Sequence, residues 1–294
     1  MILSATNVRP DGAADCLHAH PRSFLEPGPS SALERRASSH VTLTKWEREQ
    51  IRAIGGPRTT HAPREIVSSG GDALGPSDSD GLGPFVVEAG ALVERAVDAE
   101  GRVQVYHLLV PGDVIGLRHL PLTRRFSEIQ TTTPTVLRPL SREGLRSLRD
   151  TRLGRLLDGL AAAEHAADLE RLRIVGRARA QERIIHLFLE LNGRQRRVLG
   201  GLGNWFWCPF PQNDIGDAVG LTNVYVSKML SRLRERGVLR DRHGMTELHD
   251  IDWLAEQVDY KDPFATLDLA WVEEGRTASL DLCAPATDRA EASR

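Results

Sequence analysis

The stretch from Gln212 to Leu230 constrains this chain more than any other. Its apolar residues Ile215, Val219, Leu221, Val226 and Met229 are spaced to pack two short helices against each other across a tight turn. Gly216 is small where the second helix must come close. Gly220 falls at the turn, where a positive φ costs glycine little. Thr222 follows, and its hydroxyl can cap the next helix. The pattern is a helix-turn-helix. Its second helix would present Asn223, Tyr225, Ser227 and Lys228 outward, in a shape that fits the DNA major groove.

The overall charge of −2 does not point to a polyanion, but the local balance does. Between Asn223 and His243 stand Lys228, Arg232, Arg234, Arg236, Arg240 and Arg242 against Glu235 and Asp241, a local charge of +4. Affinity for nucleic acid depends on the face presented rather than on the global sum. A solvated face laced with ion pairs is the plainer reading of such a cluster; its attachment to the helix-turn-helix favours DNA.

At 294 residues, with 40% hydrophobic and 27% charged residues, the chain has room for two ordinary globular domains and tails. No apolar run reaches the length of a membrane span, and no basic stretch followed by an apolar core opens the sequence. Cys16, Cys208 and Cys283 form no CxxC and no cluster, which argues against zinc ribbons and disulfide frameworks. A cytoplasmic, membrane-free protein is the expectation. GxSxG, HExxH and Walker patterns are absent, so no enzyme is read. Glu164 and His165 are adjacent in a helix, point in different directions and make a poor general-base pair.

Along the chain, residues 1–40 are rich in Ser, Ala, Pro, Gly and Arg and read as a disordered tail. Thr44 to Glu47 has capping-box spacing and opens a short helix ended by Gly55-Gly56-Pro57. Short β-like runs follow at 64–68, 85–88, 92–97, 103–110, 127–131 and 135–140. Turn clusters such as Ser69-Gly70-Gly71-Asp72 and Pro111-Gly112-Asp113 separate them, which suggests a barrel or jelly roll. A long helix spans about 152–175, its apolar stripe running from Leu153, Leu156, Leu157 and Leu160 through alanines to Leu169 and Leu172. Nothing nearby covers it on all sides, and a second copy of the chain is its simplest partner. A further helix is predicted over about 179–191, stopped by Asn192-Gly193. Trp205-Phe206-Trp207 reads as core rather than as a base-stacking platform. The runs at 238–240 and 245–248 form a hairpin around His243-Gly244, the wing of a winged helix, and 251–258 closes the unit.

In this order of parts the chain resembles the Crp/Fnr family of bacterial transcription regulators. The resemblance is carried by Gly220-Leu221-Thr222-x-Val224-x-Val226-Ser227-Lys228-x-Leu230-x-Arg232-Leu233-Arg234-x-x-Gly237. It is supported by the segment Gly176 to Arg183 and by the Pro-Gly-Asp turn at 111–113 with Gly116. It implies an α+β architecture: an antiparallel, jelly-roll-like sensor β-roll over 41–150 of the cyclic-nucleotide-binding type and a dimerisation helix over 151–176. A winged helix-turn-helix would follow over 177–260, and 261–294 would be a mostly irregular tail. It further implies a homodimer that reads a palindromic operator and either contacts RNA polymerase or blocks it.

The family's cofactors do not carry over. Members that bind cyclic AMP have a Gly-Glu pair and an Arg-Ser/Thr pair; here Leu117 follows Gly116, and Phe126 splits Arg125 from Ser127. An iron–sulfur cluster needs several N-terminal cysteines, and only Cys16 is present. Haem would need a lone His such as His107 or His119, for which a structural role is the plainer reading. No cofactor is therefore expected. The recognition helix also departs from the family, with Asn223 and Val224 where many members place Arg and Glu. Asn can pair with adenine, and Val can touch only a thymine methyl.

These readings place Asn223, Tyr225 and Lys228 at base edges, with a phosphate as the alternative contact of Tyr225. Gln212, Asn213, Thr222, Ser227 and Arg232 are placed at phosphates, the first two through backbone amides at a helix N-terminus. Helical spacing is expected to bring 223, 227 and 230–231 near one face. The alternative is a non-DNA-binding sensor or adaptor that uses the winged helix for protein contacts.

Overall fold

The computed structural model describes residues 21–69, 84–122 and 126–273. Among the described residues of the N-terminal half stand eight strands: β1 (Thr59–His61), β2 (Ile66–Ser68), β3 (Phe85–Ala89), β4 (Leu92–Val97), β5 (Val103–Leu109), β6 (Val114–Ile115), β7 (Glu128–Thr131) and β8 (Thr135–Pro139). They pair antiparallel in two four-stranded sheets, ordered β1-β8-β3-β6 and β2-β7-β4-β5. Phe85, Val87, Leu92, Leu109, Ile115, Ile129 and Leu137 fill the space between the sheets, as period-2 alternation requires. The expected β-roll is present. The sequence missed β1 and β6, which are too short to show a period. Of its turn cluster at 69–72, residues 70–72 lie outside the described residues, as does Arg125.

The N-terminal reading needs correction. Residues 21–40 are not a disordered tail: they form α1 (Arg22–Leu25) and α2 (Ala32–Ser38), with Phe24, Ala32, Leu33 and Ala37 buried. The hydroxyl of Ser31 and the amide of Ala32 each donate to the buried Glu88 carboxylate of β3 at 3.0 Å. Arg58 and Arg138 balance the charge of Glu88. Every one of these partners is remote in sequence, so local composition could not reveal them. Next, α3 (Lys45–Ile54) has the expected capping box on Thr44 and Glu47.

After α4 (Arg142–Ser147) comes the long helix α5 (Arg152–Arg177). Its first half is covered by its own chain: Leu153, Leu156, Leu157 and Leu160 share a core with Leu33, Ile51, Val86, Val114 and Leu140. Ala163 and Ala167 lie under Phe264 and Leu267, which belong to the segment expected to be irregular. The part of that segment within the described residues carries a 3₁₀ turn at Pro263–Ala265 and α10 (Leu269–Glu273) and packs along α5, while residues 274–294 lie outside the described residues. A different side of α5 is open, with Asp158, Ala162, His165, Leu169, Leu172 and Gly176 all exposed. These positions alternate by four and three residues, the spacing of a coiled-coil seam.

Helix α6 (Ala180–Leu199) does not stop at Asn192-Gly193 as expected. Gly193 stays helical. The Asn192 amide does not cap the helix but donates to the carbonyls of Gly203 and Trp205, at 3.1 and 2.9 Å. Buried Arg194, Gln195 and Val198 continue the helix by tertiary contact. The rest is the winged helix: β9 (Trp205–Phe206), α7 (Gln212–Val219), α8 (Asn223–Glu235), β10 (Leu239–Arg242), β11 (Met245–Leu248) and α9 (Ile251–Gln257). The wing sheet is ordered β10-β11-β9. Phe206 and Trp207 are buried in the core, as read. That core runs without a break into the sensor, where Val93, Val105 and Leu108 join it.

Candidate nucleic-acid interface

The turn between α7 and α8 follows from its two glycines. Gly220 adopts φ +67°, and the amides of Gly220 and Leu221 both donate to the Gly216 carbonyl. A Cβ on Gly216 would lie 2.5 Å from the Leu221 carbonyl oxygen, so no larger residue fits without moving backbone. The Thr222 hydroxyl accepts from the Tyr225 amide at 3.3 Å, the expected N-cap. Ile215, Val219, Val226, Met229, Leu230 and Leu233 close the core beneath.

With Val226, Met229, Leu230 and Leu233 buried, the phase of α8 is fixed. Val224, Lys228 and Ser231 form the central exposed ridge, at i, i+4 and i+7. Asn223 and Ser227 flank it on one side, Tyr225 and Arg232 on the other. The expected grouping of 223, 227 and 230–231 on one outer face is corrected at Leu230 alone, which is buried because the helix needs it as a core contact. Asn223 and Tyr225 lie on opposite flanks. Ser231, the other member of the expected 230–231 pair, is exposed.

The basic cluster divides into paired and unpaired charges. Arg234 donates to Asp241 at 2.6 Å and thereby ties α8 to the wing, where Thr246 also donates to Asp241. Arg240 lies 3.8 Å from Glu247. Among the described residues Lys228 and Arg232 make no ion pair, and both are exposed. They are the charges of α8 available to a polyanion.

The first helix begins at Gln212, where the sequence placed its N-terminus. Asn213 is exposed and Gln212 half-buried, and α7 packs on β5 of the sensor. The Gln104 side chain donates to the Asp217 carbonyl at 2.7 Å. Burial and the neighbouring Asp217 raise the Asp214 carboxyl above its ordinary range, with Arg95 and Arg64 of the sensor opposing.

A second polar cluster lies where the sensor meets α5 and α6. His107 is held at Nδ1 by Glu94 (2.8 Å) and at Nε2 by Asp168 (2.7 Å). Arg118 pairs with Asp168, and Arg171 bridges Asp168 and Glu190 at 3.1 and 3.0 Å. Burial and Arg171 oppose a charge on His107, but the bonds to Asp168 and Glu94 prevail and its pKa is raised. Burial would raise the Glu94 carboxyl, yet His107 and Ser127 draw it down to about 2. Burial, with Asp113 adding repulsion, pushes Glu164 up to about 7. Glu94, His107, Arg118, Glu164 and Arg171 line a cavity of about 30 Å³, room for a water or two. Both His107 nitrogens are taken, so it offers no axial ligand without breaking this pairing. Among the described residues no His, Cys, Asp and Glu group is arranged to hold a metal ion.

With this geometry in hand, the likenesses to known proteins fall into place. Residues 182–257 match the Crp-like helix-turn-helix domain family. The chain is 28% identical over 195 residues to the nitrogen fixation regulation protein FixK of Rhizobium meliloti, covering 66% of this chain and 83% of that one. It is also 28% identical over 160 residues to the transcriptional activator protein FnrA of Stutzerimonas stutzeri, covering 53% of this chain and 64% of that one. The fold matches that of FixK2 from Bradyrhizobium japonicum, with a TM-score of 0.58, 23% identity and coverage of 69% and 96%. A Crp/Fnr-family regulator from Thermus thermophilus gives a TM-score of 0.51 at 22% identity, covering 69% and 98%. Among the described residues no helix is long and apolar enough to cross a membrane. With a Crp-like helix-turn-helix domain at residues 182–257 and about two thirds of its length similar to a known transcription regulator, the chain is a DNA-binding transcriptional regulator.

Proposed function

We propose that this regulator acts in the cytoplasm as a homodimer that reads a palindromic operator with paired α8 helices. The observation that carries the dimer is the open side of α5. Leu169 and Leu172 are 54% and 71% exposed, in register with Ala162 and Gly176 at four-three spacing. A two-fold parallel pairing of α5 would bury this seam and set two recognition helices side by side. Half-sites then lie about one DNA turn apart, roughly 34–36 Å, or a multiple of it.

In this reading Lys228 and Asn223 contact base edges, and Tyr225, on the far flank, contacts a base edge or a phosphate. Thr222, Ser227 and Arg232 contact phosphates, as do the α7 amides at Gln212 and Asn213. The exposure of Lys228, Arg232 and Asn213 supports these roles. Gln212 is half-buried and α7 packs on β5, so its amide is the contact that depends most on how α7 sits. RNA polymerase is the proposed partner for activation; occlusion of a promoter is the route to repression. No organic cofactor is assigned to the sensor, because His107, Glu94, Asp168 and Arg118 are already paired with one another there.

Selection of bound fragments from random duplex DNA, with sedimentation of the complex, tests this reading. Inverted repeats bound by two chains are the expected product. A monomer with no salt-sensitive preference for any duplex would overturn it.

A further inference from the structure

Val224 is 80% exposed, more than any other large hydrophobic side chain among the described residues. A single aliphatic residue on a protein surface is ordinary. Val224 is distinguished by its position. It begins the central ridge of α8, one turn before Lys228 and two before Ser231, with Asn223 and Tyr225 on either side. Every other exposed residue of this helix carries a polar or charged group. No core contact holds it, since the buried face is made by Val226, Met229, Leu230 and Leu233. A β-branched residue is also no asset to an exposed first helical turn. Its conformation adds a further constraint: χ1 of valine is nearly fixed in a helix, so its two methyl groups are presented in one orientation.

A rigid apolar group at the front of a recognition helix can make only one kind of discriminating contact in the major groove. It cannot donate or accept. The one apolar feature on a base edge there is the C5-methyl group of thymine. From this geometry we infer that Val224 is a specificity-determining residue that reads a thymine methyl in each half-site. The inference rests on the proposed reading that α8 enters the major groove. Lys228, one turn further on the same ridge, then falls on a neighbouring base pair. The half-site is expected to hold thymine at the Val224 position and a guanine at the Lys228 position.

Removal of single methyl groups tests this directly. An operator is first obtained by selection from random duplex DNA. Each thymine is then replaced, one symmetry-related pair at a time, by deoxyuridine, which pairs identically and lacks only the methyl. Burial of one such group corresponds to about fourfold in affinity, so one substituted pair should weaken binding by about fifteenfold. Val224→Ala and Val224→Ser should bind this operator more weakly and respond little to deoxyuridine at that position. Because Val224 is 80% exposed and outside the buried face of α8, both variants should melt with the wild type. If the wild type binds a specific operator yet no deoxyuridine weakens it, or if both variants keep the full sensitivity, the inference fails while DNA reading by α8 stands. If no specific duplex is bound at all, the underlying reading of α8 fails instead.

Discussion

Arg194 of α6 donates to the Asp113 carboxylate in the turn that leaves β5, so a side chain of the DNA-binding half closes a turn of the sensor. The same guanidinium donates to the Leu108 carbonyl at 2.8 Å, and Asp113 accepts from the Val110 amide at 2.9 Å. Both residues are buried. The turn is pressed so close to α6 that a Cβ on Gly112, at φ +94°, would lie 2.3 Å from a methyl of Val198. Truncating one partner strands the other charge away from water. Arg194→Ala and Asp113→Ala should each lose about 3–5 kcal/mol in urea unfolding, and the double variant well short of the sum.

The helix-turn-helix depends on Gly216 for room. Gly216→Ala should cost about 1–3 kcal/mol, because the intruding methyl meets a backbone carbonyl that cannot rotate aside. Thermal unfolding together with operator affinity measures it. An unchanged Tm would mean that α7 and α8 are farther apart than described.

Lys228 and Arg232 should fail in different ways. Lys228→Ala should lose about 1–3 kcal/mol on the operator and relax the preference at one base position per half-site. Arg232→Ala should weaken operator and random duplex alike and reduce the salt slope by about one per half-site. Titrations at several salt concentrations separate the two, and identical behaviour would show that both lie on phosphates.

The seam on α5 can be broken without touching the core. Leu172→Glu places a charge where the two copies are proposed to meet, while the buried face of α5 is left intact. Sedimentation should show monomers whose melting curve is little altered apart from the loss of assembly. A variant that remains dimeric would move the interface elsewhere.

Glu164 and Glu94 set opposite pH dependences. The Glu164 carboxyl is raised to about 7, so the folded chain holds a proton that the unfolded chain releases near 4.5. Its contribution is full below about 4.5 and is lost as pH rises towards about 7. Glu94, drawn down to about 2, contributes above about 4.5 and loses its contribution as pH falls towards about 2. Glu164→Gln should flatten the decline between about pH 4.5 and 7 in urea unfolding and leave the acid limb in place.

The sequence by itself determined the helix-turn-helix, because every contact that defines it lies within a few residues. Gly216, Gly220, Thr222 and the apolar spacing act locally, and each behaves in the structure as its chemistry required. The strands of the roll and the wing hairpin were legible for the same reason, as period-2 runs bounded by turns. Tertiary structure alone decided the rest. Phe24 is buried because it stacks on Trp207, at 5.0 Å between ring centres. Phe264 covers Ala163 and Ala167, with Arg36 lying 4.4 Å over its ring. Helix α6 continues past Gly193 because Arg194 finds Asp113, and Leu230 turns inward because the core beneath α8 needs it. Each of these depends on partners distant in sequence, and local periodicity holds no record of the free energy that such long-range burial supplies.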